Sequence, residues 1–346
     1  MSERARELGQ LTWARILLFL REPEALFWVF LFPVVLALVL GIAFKNRGAE
    51  EVPVGHVAGR LEERWAKALE DASNLRSVVY EDADAAEKKL RSGAVAALLE
   101  GSDKVTIRYD PTRPEGENAR IRINDAIQAA GGRTDPVPVA VDPVREHGSR
   151  YIDFLLPGLL GMNLMGTGIW GTGFAIVDMR QKKLLKRFVV TPMRKSSFLL
   201  AQMLSRFVFL VLEVVVITLF GVLVLGVPFR GSILLFAGTC VLGALCFAGL
   251  GLLVAARPQT IEGVSGLMNF VMMPMWLLSG VFFSYENFPA ALHPLIRLLP
   301  LTALNDSLRG LMLEGESLAG LAAEMGVQAA WAAGCFALAL KVFRWR

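Results

Sequence analysis

Apolar runs separated by short polar breaks make up most of this chain, and residues 45–150 are the one long departure from that rhythm. Ahead of the first run, residues 1–24 mix Arg4, Arg6, Arg15 and Arg21 with Leu8, Leu11, Ile16, Leu17 and Leu20, the pattern of a helix lying in a membrane interface and closed by Glu22-Pro23. Residues 25–44 then supply about the 20 apolar residues a helix needs to cross a hydrocarbon core, with Pro33 inside. A cleaved signal peptide would have a shorter apolar core, so the run is read as a retained span. Further spans are expected at Tyr151–Val177, Phe198–Val227, Gly231–Ala256, Val264–Phe283 and Leu318–Leu340. In the first of these, glycines at 158, 161, 166, 168, 171 and 173 would let another helix approach closely. Residues 284–317 are also apolar, yet Pro289, Pro294, Arg297, Pro300, Asp306 and Arg309 interrupt them. Short helices dipping into one leaflet under a protein cover fit this segment better than a seventh crossing.

Residues 45–150 change period. Val52–Val57 and Ser77–Tyr80 read as strands with a helix at Leu61–Ala72 between them. A helix at Asp84–Arg91, strands at Ala94–Glu100 and Lys104–Asp110, and a helix at Asn118–Ala130 follow. The Gly- and Pro-rich stretch 131–143 forms an exit linker. His56 and His147 have no Cys or acidic partners at ligand spacing and read as ordinary surface or turn histidines.

Charge sets the orientation. Residues 178–197 carry Arg180, Lys182, Lys183, Lys186, Arg187, Arg194 and Lys195 between two spans, and short loops this rich in Lys and Arg stay in the cytoplasm. Six spans then leave both termini cytoplasmic and put residues 45–150 and 284–317 outside. The fold expected is an α-helical polytopic membrane protein with six transmembrane helices and an extracytoplasmic α/β domain inserted between helices 1 and 2, lodged in the cell (inner) membrane. Within the loop, Arg180–Val190 can form an amphipathic helix with Leu184, Leu185 and Phe188 on one side, ended by Pro192, which disfavours helix at Thr191. Topology-setting charge alone is the other reading of the same residues.

Composition agrees: 54% of residues are hydrophobic and the mean hydropathy is +0.48, too apolar for a soluble globular chain. The net charge of +4 comes from the loops, so nucleic acid is not implied. Cys240, Cys246 and Cys335 lie in apolar runs and suggest neither disulfides nor a metal site.

The order of interfacial helix, span, extracytoplasmic domain and five further spans resembles the permease subunits of the ABC-2 family of ATP-binding-cassette exporters. Local motifs carry the resemblance: Lys186 to Pro192 ending in Thr191-Pro192, Pro274-Met275 with Leu278-Ser279-Gly280, Pro300-Leu301-Thr302 with Arg309, and Phe343-Arg344-Trp345. The family's Glu-Arg-Glu-x-Gly stretch is only partly present, as Asp178-Met179-Arg180 followed by Gln181-Lys182-Lys183. The resemblance implies that an ATP-binding subunit docks at Lys182, Lys183, Leu184, Leu185, Lys186, Arg187, Thr191 and Pro192 and at the N-terminal helix. It also implies a second permease copy, with Asn163, Asn269 and Phe270 on spans that line the cavity between copies. Helix packing is the competing reading for those three.

No Gly-x-x-x-x-Gly-Lys-Ser/Thr phosphate loop occurs, so no cofactor is expected on this chain, with ATP and Mg on the partner and no hydrolysis here. Glu213 lies deep in the third span, where an acid costs about 2.5–3.5 kcal/mol on insertion scales. It is read either as a structural tie, with Arg206, Asn163 or Asn269 as partner, or as a proton or substrate site on the translocation pathway. The function expected is export of a small amphipathic molecule. A membrane-anchored receptor or scaffold would need no cytoplasmic coupling helix, and a stand-alone secondary transporter would be expected to show inverted repeats.

Overall fold

A computed structural model of the chain describes residues 9, 10, 12, 13, 16, 17, 19–43, 51–72, 74–101, 104–134, 150–182 and 195–342. Two compact units are present, residues 47–144 and the remainder. The remainder opens with α1 (Pro23–Ala43). Pro23 stands at the start of this helix, where a missing N–H costs nothing, so Glu22-Pro23 opens the span itself. Of the helix expected over residues 1–24, the described positions 9, 10, 12, 13, 16, 17, 19 and 20 are helical, and residues 1–8, 11, 14, 15 and 18 lie outside the described residues.

The smaller unit runs β1 (Val52–Leu61), α2 (Glu63–Asp71), β2 (Leu75–Tyr80), α3 (Ala83–Ser92), β3 (Ala97–Gly101), β4 (Thr106–Tyr109) and α4 (Pro114–Ala130). Strand order is β2-β1-β3-β4, with β1 parallel to β2 and β3 and with β4 antiparallel to β3. Side chains alternate across a strand. Leu99 therefore joins Val54, Trp65, Leu69 and Ile123 on the α2 and α4 side, while Leu98 joins Val57, Ala86 and Val95 on the α3 side. Gly93 ends α3 in a left-handed turn at φ 77°, which delays the strand expected from Ala94 until Ala97. Pro114 in the first turn starts α4 ahead of Asn118.

In the larger unit α1 is joined by α5 (Tyr151–Gln181), α6 (Lys195–Leu223), α7 (Ile233–Val254), α8 (Ile261–Leu278), α9 (His293–Arg297), α10 (Pro300–Arg309) and α11 (Ala322–Val342). Among the described residues, α1, α5, α6, α7, α8 and α11 are the six helices long and apolar enough to cross a membrane. The central one is α5, buried along most of its length. Lipid tails satisfy apolar side chains as well as Leu does, so helices in a membrane are held by close contact and polar ties. A Cβ on Gly168 would lie 2.7 Å from the Cβ of Phe247 on α7, and one on Gly251 would lie 2.6 Å from the carbonyl oxygen of Ile169. Gly166, also counted in the expected packing stripe, has nothing within 4 Å.

The segment 284–317 holds two 3-10 turns and the helices α9 and α10. The 10 residues of α10 reach about 15 Å, half of the roughly 30 Å hydrocarbon core. Protein covers α10: its side chains from Pro300 to Asn305 are buried, and Gln328 of α11 donates to the carbonyl of Ala303 at 3.3 Å.

Candidate functional site

Three groups of polar contacts organise the larger unit. At the Tyr151 end of α5, Arg309 of α10 donates from Nε to the carbonyl of Phe154 at 3.2 Å and from Nη2 to the carbonyl of Gly280, just past α8. Its guanidinium also stacks 3.8 Å from the Phe154 ring centroid and lies 3.6 Å from Asp306. Tyr151 adds a bond to the carbonyl of Phe282 at 2.8 Å, and Asn305 one to the carbonyl of Ser279 at 2.9 Å. Gly280 takes φ 66°, a left-handed turn that presents this backbone. One arginine thus fastens α5, α10 and the exit of α8 together.

In the middle of α5, Glu213 of α6 is 1% exposed and accepts a hydrogen bond from Thr167 at 3.4 Å. Thr167 also donates to the carbonyl of Asn163 at 3.0 Å. Of the partners expected for Glu213, Arg206 acts on it electrostatically, and Asn163 and Asn269 are not bonded to it. Among the described residues it forms no ion pair with Arg206, whose guanidinium lies against Gly171 with Nη2 buried and unpaired. Asn163 donates to the carbonyl of Val29 on α1 at 2.9 Å, and Asn269 is exposed. Thr167 was not foreseen as the partner; its signal was its position one turn beyond Asn163 on the same face.

Asn269 and Phe270 belong to the open face of α8. Phe270 is 75% exposed beside Leu267, Met273 and Leu277, while Val264, Met268, Met272 and Met275 face the protein. The structure therefore brings the Asn163 carbonyl of α5 and Glu213 of α6 to the same Thr167 hydroxyl, and leaves Asn269 and Phe270 on the open face of α8.

At the Gln181 end of α5, Lys182 is exposed and its Nζ lies 2.9 Å from Asp178. Lys183, Leu184, Leu185, Lys186, Arg187, Thr191 and Pro192 lie outside the described residues. Arg180 departs from its reading as one more loop charge: it donates to the carbonyls of Ala255 at 3.2 Å, Ala256 at 3.3 Å and Pro258 at 2.5 Å.

In the smaller unit His56 is not a surface histidine. It is 6% exposed on β1, 3.3 Å from the Ser77 hydroxyl, because the parallel pairing of β1 with β2 and β3 leaves its side chain between layers. Burial holds its pKa below the ordinary 6.5, opposed in part by Glu70. His147 lies outside the described residues. Among the described residues, no three His, Cys, Asp or Glu side chains cluster to hold a metal ion, and Cys240, Cys246 and Cys335 are buried free thiols.

Comparison with known proteins bears on this architecture. The model of the family described as ABC-2 family transporter protein matches residues 23–341. The chain is 23% identical over 256 residues to the probable multidrug ABC transporter permease YbhS of Escherichia coli K12, covering 70% of this chain and 66% of YbhS. It is 25% identical over 168 residues to the probable multidrug ABC transporter permease YbhR of the same organism, covering 49% and 46%. With the inner membrane transport permease YadH, also of E. coli K12, it shares 26% identity over 167 residues, 47% of this chain and 63% of YadH. The chain thus spans just under two thirds of YbhS and less of the other two.

Proposed function

Because the chain belongs to the ABC-2 family of transporter proteins, we propose that it is the transmembrane permease subunit of an ATP-driven exporter. Its cargo is a small amphipathic molecule, drug-like, natural-product or lipid-like, moved out of the cytoplasm or the inner leaflet. The observation that carries this reading is the family match, which runs from the first apolar helix to the last. Two relatives are named multidrug permeases, which supports an amphipathic cargo here.

In this reading the basic loop 178–197 and both termini are cytoplasmic, residues 45–150 stand outside, and 284–317 dips into the outer leaflet. ATP and Mg are held, and ATP is hydrolysed, by a separate subunit that docks at Lys182–Pro192 and at the N-terminal helix. Transport follows when that subunit, closing on ATP, favours one of two arrangements of the spans. A second permease copy faces the open side of α8, where Phe270 and Asn269 are exposed. Asn163 and Glu213 act as ties within one copy rather than as lining of the pathway, since each is bonded inward.

Orientation is the testable core of an export assignment. A cysteine replacing Ser73 should react with an impermeant thiol reagent in intact cells, and one replacing Ser196 should react only after the membrane is opened. The reverse pattern would contradict export by this chain as drawn.

A further inference from the structure

Arg180 stands in the last turn of α5, two positions before Lys182, which caps that helix. Its side chain reaches backbone beyond its own helix. The carbonyls of Ala255, Ala256 and Pro258 that accept from it form the end of α7 and the turn that leads to α8. The last carbonyls of a helix have no donors of their own and carry the negative end of its dipole. A planar guanidinium spreads several N–H groups over a fixed fork that spans these carbonyls, whereas an ammonium carries its three donors on a single nitrogen and lacks that fork. Ala255 and Ala256 are 0% and 1% exposed, so this is a buried joint.

The packing nearby has the same consequence. Gly173, two turns before Arg180, lies against the Met268 methyl of α8, and a Cβ there would stand 3.1 Å from the carbonyl oxygen of Gly251 on α7. At its Gln181 end, then, α5 is locked to α7 and to the first turns of α8. The other helix leaving the loop, α6, keeps Phe207, Val211, Leu212, Val215 and Leu219 exposed.

We infer that Arg180 is the positioning residue that passes displacement of the basic loop from α5 to α7 and α8. The inference rests on the proposed docking of an ATP-binding subunit at that loop, and it adds which helices move and through which side chain. Without Arg180, the loop would still pull α5, but the turn at Ala255–Pro258 would no longer follow.

The test uses the full chain with its ATP-binding subunit in lipid vesicles, carrying an environment-sensitive fluorophore on a single added cysteine. Gly166→Cys reports on α5 and Gly266→Cys on α8; neither position has an atom within 4 Å of a new Cβ, and the native cysteines are buried. With Arg180 present, ATP should shift the emission at both reporters. Arg180→Ala should keep the shift at Gly166→Cys and lose it at Gly266→Cys, with ATP hydrolysis continuing. Arg180→Lys, which keeps the charge and lacks the fork, should behave as Arg180→Ala does and carries the test if Arg180→Ala fails to fold. Shifts at both reporters without Arg180, or their joint loss on its removal, would overturn the inference. No shift at either reporter in the parent would instead remove the docking reading on which it rests.

Discussion

The side-chain amide of Asn163 donates 2.9 Å to the carbonyl of Val29. Four residues after Val29 stands Pro33, which has no N–H to offer that carbonyl, and the helix widens into a π turn over Phe27–Leu31. Asn163 supplies the donor that the sequence of α1 withholds. Asn163→Leu should therefore lower thermal stability by about 0.6–2 kcal/mol, the worth of an interhelical bond in a membrane. Adding Pro33→Ala returns an intrahelical donor to Val29, so the loss measured in that background should be smaller. An undiminished loss would show that Asn163 acts through something other than Val29.

Glu213 is read as a tie to Thr167. Glu213→Gln keeps an acceptor oxygen and should preserve both melting temperature and transport. Glu213→Leu removes the acceptor and should lower stability by roughly 0.6–2 kcal/mol. A Glu213→Gln protein that melts normally and fails to transport would assign the carboxylate a proton or a cationic cargo instead.

His56 gives the smaller unit a pH dependence of known sign. Burial depresses its folded pKa below 6.5, so below that value the unfolded chain binds more protons than the folded one. Stability is fully present above 6.5 and is lost as pH falls toward the folded pKa. Proteolysis within residues 47–144 of the full-length protein should accelerate as pH is lowered from about 7 to about 5, and His56→Gln should remove most of that acceleration. Equal acceleration in the variant would locate the sensitivity in other groups.

Hydrophobic run length made the six helices legible, and period-2 runs made the strands legible, because both follow from burial along a regular backbone. The limits of that reading show in particular residues. Gly168 and Gly251 were recognisable as small, yet which helix meets which depends on contacts distant in sequence. Arg180 looked like its basic neighbours, because nothing in the local pattern says that the carbonyls of Ala255, Ala256 and Pro258 lie within its reach. Glu213 was visible as a costly group, but its partner Thr167 was not, since a threonine in a span usually bonds its own helix backbone, as Thr167 also does at Asn163.

The central claim is that an ATP-binding subunit drives this permease through the loop after α5. The direct measurement is co-purification of that subunit, together with ATP-dependent transport in vesicles, for the double change Leu184→Asp and Leu185→Asp. The account predicts that the variant enters the membrane at normal levels, loses the subunit and transports nothing. A variant that retains both the subunit and transport would contradict it.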